Sequence, residues 1–149
     1  MHRLEEGIPF FLGGIEIKHH KGSVGHSDAD VLLHAICDAM LGAAALGDIG
    51  THFPDTDQAY KGIASSILLK KAGKLLHSRG YRIGNIDSTI CLQEPRVKSY
   101  IQGMQQHIAK ELGLQEDQVS VKATTEEGLG FTGSGEGVSA YAVVLIQSL

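Results

Sequence analysis

The sequence is poor in the features that mark exported, membrane-spanning or polyanion-binding chains. Only two of its 149 residues are cysteines, Cys37 and Cys91, far apart and outside any CxxC pair. That excludes zinc-finger spacing and leaves both thiols as small buried hydrophobes in a reducing compartment. Basic charge is scarce as well: 13 Lys and Arg against 17 Asp and Glu give a net charge of −4. Such a balance offers no basic field for nucleic acid, and the short runs Lys18-His19-His20-Lys21 and Lys70-Lys71 read as solvated faces. No apolar run approaches the roughly 20 residues of a membrane span, and no signal-peptide pattern opens the chain. The expectation is a cytoplasmic protein without a membrane partner, or a plastid one whose transit segment was removed. P-loop, GxSxG elbow, internal repeats and linkers are all missing.

What is present fits one domain over residues 1–149, long enough to bury a proper core. "PFFLGGIEI" predicts a β-hairpin turning at Gly13-Gly14. A helix is expected from about Asp28 to Leu46, then a loop, "GDIGTHFPDTD", rich in Gly, Pro and Asp. A second, amphipathic helix should run from about Gly62 to Ser78 and stop at Arg79-Gly80. "NIDSTICL" alternates as a strand, with Ile86, Ser88, Ile90 and Leu92 on one face. Ile101, Met104, Ile108 and Leu112 mark a third helix. "VSVKATT" and "SAYAVVLIQSL" read as strands joined by a glycine-rich, hairpin-like loop. The pattern predicts an α+β two-layer fold, a mixed β-sheet with helices packed on one face.

The stretch "HSDADVLLH" heads the first helix and is its oddest part. Ser27 with Asp30 makes a capping-box pattern that places the helix start there. Asp30, His34 and Asp38 then share one face of a helix that is otherwise almost wholly apolar. A buried charge without a partner costs several kcal/mol, so this stripe must meet something. One reading is a core histidine held by two carboxylates. The other makes His34 a metal ligand whose second ring nitrogen is oriented by a carboxylate.

Two further segments bear on that choice. Asp48, Asp55 and Asp57 crowd one loop stiffened by Phe53-Pro54. Turn formation explains such aspartates, yet a stiff loop of acceptors also suits gripping hydroxyls. "KATTEEGLGFTG" ends a strand with Thr124, Thr125, Glu126 and Glu127. These read as a plain turn with solvated acids, or as hydroxyls and N–H groups for phosphate with Glu127 for a hard cation such as Mg²⁺. Gly128-Leu129-Gly130-Phe131-Thr132-Gly133 matches GxGxxG by letter alone. A dinucleotide site needs a helix next and an acid about 20 positions on, so that reading is rejected.

"GHSDADVLLH", "LGAAALGDIG", "FPDTD", "NIDSTI", "VKATTEEGLGFTG" and "GEG" occur in the order found in one family. Over His2 to Leu149 the chain resembles the 2-C-methyl-D-erythritol 2,4-cyclodiphosphate synthases of the non-mevalonate isoprenoid pathway. The resemblance implies a homotrimer, its sheets around a three-fold axis and its active sites between subunits. It also implies conversion of 4-diphosphocytidyl-2-C-methyl-D-erythritol 2-phosphate to the cyclic diphosphate with release of CMP. By the same resemblance, zinc is held by an Asp-x-His pair and a helix histidine, here His2 and His34. Magnesium or manganese bridges the diphosphate at Glu127. His26 and Thr125 match groups that stabilise the transition state. Ser27, with Asp48, Ile49, Gly50, Phe53, Pro54, Asp55, Thr56 and Asp57, matches the part that holds the methylerythritol phosphates. Leu92, Gln93, Glu94, Pro95, Arg96, Val97 and Lys98, with Thr124, Glu126 and Glu127, match the cytidine diphosphate pocket. Phe131 and Ser134 fall at further ligand-contacting positions, and His2 belongs by resemblance to the substrate site as well as to the metal.

Two departures from the family pattern carry expectations. The family has an aspartate two places before the residue matching His2, with a strand leading to it, and both positions fall before Met1. His2 is therefore expected to fray, and zinc to bind weakly. Ser134 stands where the family often has arginine, in "GRGEG". A catalytically weak trimeric binding protein and a metal-dependent phosphohydrolase are the competing functions.

Overall fold

The computed structural model describes residues 1–54, 56–60 and 62–149, without the side chain of Ala59. Asp55, one of the sequence candidates, lies outside the described residues. Four short strands open the chain: β1 (His2–Glu6), β2 (Phe10–Leu12), β3 (Ile15–Ile17) and β4 (Lys21–Ser23). Next come α1 (Val31–Ala43), a one-turn α2 (Ile49–His52), α3 (Ser65–Ser78) and the long strand β5 (Tyr81–Cys91). Then follow α4 (Ile101–Leu112), β6 (Val119–Thr124), the one-turn α5 (Gly130–Gly133) and β7 (Gly137–Ser148).

Five strands make one mixed sheet in the order β4-β1-β7-β5-β6, and β2 and β3 form a separate hairpin. In the sheet β5 is antiparallel to β7 on one side and parallel to β6 on the other. The loop between β6 and β7 is therefore not the hairpin-like connection expected from the sequence, because β5 lies between them. Its glycines instead flank α5, whose tight turn stacks on β7.

Alternation explains which way the sheet faces. Ile86, Ser88 and Ile90 pair in register with Val144, Ala142 and Ala140 on one side, and Ile86 and Ser88 with Val119 and Val121 on the other. All point inward, where α1, α3 and α4 cover them with Leu33, Ile36, Met40, Leu69, Met104 and Ile108. The alternate residues point away from the helices, and Tyr141, Val143 and Leu145 are left 61%, 72% and 57% exposed. Such an apolar stripe along one strand is not what a sheet face turned to water normally carries.

Three expectations about the chain's first third change. His2 does not fray: it pairs with Val138 of β7, and Leu4 with Ser23 of β4. The cap of α1 is Asp30, not Ser27, because the Asp30 carboxylate reaches the Leu33 N–H. The three-residue polar stripe does not act as a unit either. Asp30 turns to the β2–β3 hairpin, accepting from Gly13 and Gly14, while Asp38 accepts from Ile49 N–H at 2.8 Å. At Gly14, with φ +77°, a Cβ would lie 2.2 Å from the His107 ring, so the turn closes only on glycine. The expected start of the second helix moves from Gly62 to Ser65.

Candidate active site

His34 lies on α1 among apolar neighbours, and its ring is bounded at both nitrogens. Nδ1 is 3.2 Å from Nε2 of His2 at the head of β1. Nε2 is 2.8 Å from the Ser65 hydroxyl and 3.3 Å from that of Ser27. Burial lowers the pKa of His34 and, with the neighbouring imidazole, pushes that of His2 down to about 4. Both rings are accordingly neutral at pH 7, the state in which imidazole binds a metal.

The pair fits a divalent cation by an independent count of protons. The Ser65 hydroxyl donates to Asp28, so its oxygen has only lone pairs for His34 and must accept from the Nε2 proton. A neutral His34 then keeps a bare lone pair on Nδ1, aimed at His2. The Val24 carbonyl favours a ring proton on His2. Two nitrogens about 2.0–2.1 Å from one tetrahedral zinc are roughly 3.3 Å apart, close to the 3.2 Å observed between these two. Among the described residues no group of three His, Cys, Asp or Glu that could hold a metal ion is gathered.

Around this pair is a pocket of about 370 Å³ that contains many of the sequence candidates. His2, His26, Ser27, His34, Ile49, Gly50, Phe53 and Pro54 line it. The sequence missed Tyr60, Ile63 and Leu68 in its wall; Tyr60 packs edge-on against Phe53 at 5.7 Å, a contact that no spacing rule announces. Asp48 faces away, capping α2 through the Thr51 hydroxyl and N–H, which lower its pKa. Thr56 and Asp57 are exposed beyond the pocket.

A second pocket, about 230 Å³, shares no residue with the first. Leu92, Gln93, Pro95, Arg96, Val97 and Lys98 line it, together with Thr124 and Thr125 at the end of β6. Glu94 is exposed and turned outward. Ile101 and Ala123 also line it, and the sequence singled out neither for this role. Glu126 and Glu127 follow in an exposed turn, where the Thr125 hydroxyl donates to Glu127 at 2.9 Å. Phe131 is packed over Gly137, and the Ser134 hydroxyl is committed to the Phe131 carbonyl and Glu136. A larger concavity, about 780 Å³ between α3 and α4, holds none of these residues. Its cations, such as Lys74 and Lys110, stand on an open surface groove.

The fold and the two pockets define a class: an α+β protein with a half-buried, neutral histidine pair in one pocket and a cleft carrying Arg96 and Lys98 in another. The chain belongs to the YgbB family, whose model matches residues 1–147. It is 60% identical over 147 residues to a 2-C-methyl-D-erythritol 2,4-cyclodiphosphate synthase of Syntrophomonas wolfei, an alignment covering 99% of this chain and 94% of that one. Among solved structures it is similar to the bifunctional IspDF of Campylobacter jejuni (TM-score 0.95, 42% identity, 99% of this chain) and spans 40% of that longer chain. It is also similar to a 2C-methyl-D-erythritol-2,4-cyclodiphosphate synthase in its CDP-bound form (TM-score 0.90, 36% identity, 98% of this chain and 95% of that one). Among the described residues no helix is long and apolar enough to cross a membrane.

Proposed function

We propose that this chain is a 2-C-methyl-D-erythritol 2,4-cyclodiphosphate synthase, a phosphorus–oxygen lyase of the non-mevalonate isoprenoid pathway. Its substrate is 4-diphosphocytidyl-2-C-methyl-D-erythritol 2-phosphate. An oxygen of the 2-phosphate attacks the β-phosphorus of the same molecule, the bond from that phosphorus to the bridging oxygen breaks, and CMP leaves. The observation that carries this reading is identity of 56–60% over 147 residues to relatives named as that enzyme.

The reaction brings one phosphate against another, so positioning and charge neutralisation do most of the work. Ser27, Ile49, Gly50, Phe53 and Pro54 hold the methylerythritol end in the pocket around His34. Asp48, Asp55, Thr56 and Asp57 belong to the same loop in the sequence and are proposed to reach the methylerythritol hydroxyls once substrate is bound. Leu92 to Lys98 with Thr124 hold the cytidine end in the other. His26 and Thr125 donate hydrogen bonds to phosphate oxygens as charge builds. His2 and His34 would hold zinc through two ring nitrogens, and Glu127 would offer its carboxylate to magnesium or manganese. Such metals would supply Lewis acidity that draws charge from the reacting phosphates.

One substrate must fill two pockets that share no residue. That requirement supports a homotrimer in which each active site pairs the His34 pocket of one subunit with the Thr125 pocket of its neighbour. The exposed stripe Tyr141, Val143 and Leu145 is the apolar surface such an assembly would bury. Incubation with the substrate tests the reading: CMP with the cyclic diphosphate supports it. Inorganic phosphate points to a hydrolase, and binding without turnover to a degenerate relative.

A further inference from the structure

Ser65 opens α3, thirty-one residues from His34 along the chain, and nothing in the local sequence marks it as part of a site. In the fold it is fully buried, with its hydroxyl between the His34 ring and the Asp28 carboxylate. Asp28 is fixed in turn. One carboxylate oxygen accepts from the Ser65 N–H at 2.9 Å, and the other accepts from the Ser65 hydroxyl and the Asp30 N–H. Both oxygens face donors, so the carboxylate has no reason to turn away. A serine hydroxyl carries one proton. With that proton on Asp28, the oxygen offers His34 only an acceptor, and the ring is held with its proton on Nε2 and its lone pair on Nδ1.

We propose that Ser65 and Asp28 are positioning residues that set the tautomer and orientation of His34, presenting Nδ1 toward His2. The proposal rests on reading the His2–His34 pair as a metal site. Metal-bound histidines commonly donate their other ring N–H to a carboxylate or carbonyl. Here a serine is interposed, and the carboxylate that orients the ring comes from the loop before α1 rather than from the Asp30/Asp38 stripe of the helix itself. The arrangement also ties three segments together: the loop at Ser27–Asp30, the first turn of α1, and the first residue of α3.

Asp28 has an ordinary structural duty as well, because the Ser65 N–H it accepts is one of the unpaired donors at the start of α3. Ser65→Ala separates the two roles, since it removes the hydroxyl and leaves the backbone N–H on Asp28. Two readouts decide. In the metal-free protein, long-range ¹H–¹⁵N correlation spectra should show His34 protonated on Nε2 in the wild type and as a tautomer mixture in Ser65→Ala. Zinc affinity, measured by competition with a chromophoric chelator, should fall about 10- to 100-fold in the variant, while CDP affinity stays unchanged. A wild-type His34 protonated on Nδ1, or a variant with undiminished zinc affinity, would overturn the proposal. Should Ser65→Ala fail to fold, the wild-type spectrum decides alone. A wild type that binds no zinc would refute the metal reading, and the tautomer readout would still judge the relay.

Discussion

The backbone N–H of Gly14 donates to Asp30 Oδ2 at 2.7 Å, which ties the β2–β3 turn to the head of the helix that carries His34. Gly13 and Leu33 both donate to the other oxygen, so a single buried carboxylate answers three N–H groups. Burial nevertheless pushes its pKa up to about 6. Asp30→Ala removes the cap of α1 and strands two hairpin donors in the interior. The expected loss is roughly 2–4 kcal/mol, read as a fall in the urea midpoint; a change under about 0.5 kcal/mol would contradict this role for Asp30.

The pH dependence of the metal-free protein follows from His2. Its folded pKa of about 4 lies below the ordinary histidine value of 6.5. Between those values the unfolded chain binds a proton that the folded chain refuses, so folding stability drops as pH falls through that window. Wild type compared with His2→Gln isolates the effect, because every other group is shared. The stability of wild type relative to the variant should be flat above about pH 7 and decline from about pH 6.5 toward 4. A difference that is constant across that window would show that the ring is not held neutral.

Much of the fold was legible in the sequence, and the reasons are local. Period-two alternation at Ile86, Ser88 and Ile90 and helical spacing at Met104 and Ile108 reflect faces that are buried as read. The site was legible only where a motif is contiguous. "GHSDADVLLH" delivers His26, Ser27 and His34 to one pocket, and "LQEPRVK" lines the other with every residue but Glu94. Ser65 and the pairing of His2 with Val138 depend on contacts across tens of residues, and Tyr60 joins the wall through a ring contact with Phe53 that no periodicity marks. Asp30 was misassigned for the same reason, since helical spacing put it on a stripe with His34 while its partners come from a turn 16 and 17 residues earlier.

Nucleotide choice should follow from the loop Leu92–Lys98. Its backbone groups are expected to read the cytosine edge, so CDP should bind more tightly than UDP. A site discriminates when the wrong base leaves buried donors or acceptors unpaired. Equal affinities by calorimetry would refute this.

Assembly should depend on the exposed stripe of β7. Val143 is 72% exposed in the single chain, so Val143→Glu should leave the fold intact by circular dichroism. In a trimer the same carboxylate would be buried without a partner, at a cost of several kcal/mol. Sedimentation equilibrium is expected to give three times the chain mass for the wild type and a monomer, without turnover, for the variant. A wild-type monomer at micromolar concentration would refute the assembly.

The most direct test of the shared site mixes two inactive proteins. His34→Ala damages one pocket and Thr125→Ala the other, and each alone should release no CMP. Refolded together at equal amounts, they should recover about a quarter of wild-type activity, since a head-to-tail ring then joins an intact pocket to an intact neighbour at one interface in four. No recovery in trimers verified to contain both variants would mean that both pockets serve from within one subunit, and the proposed shared site would be wrong.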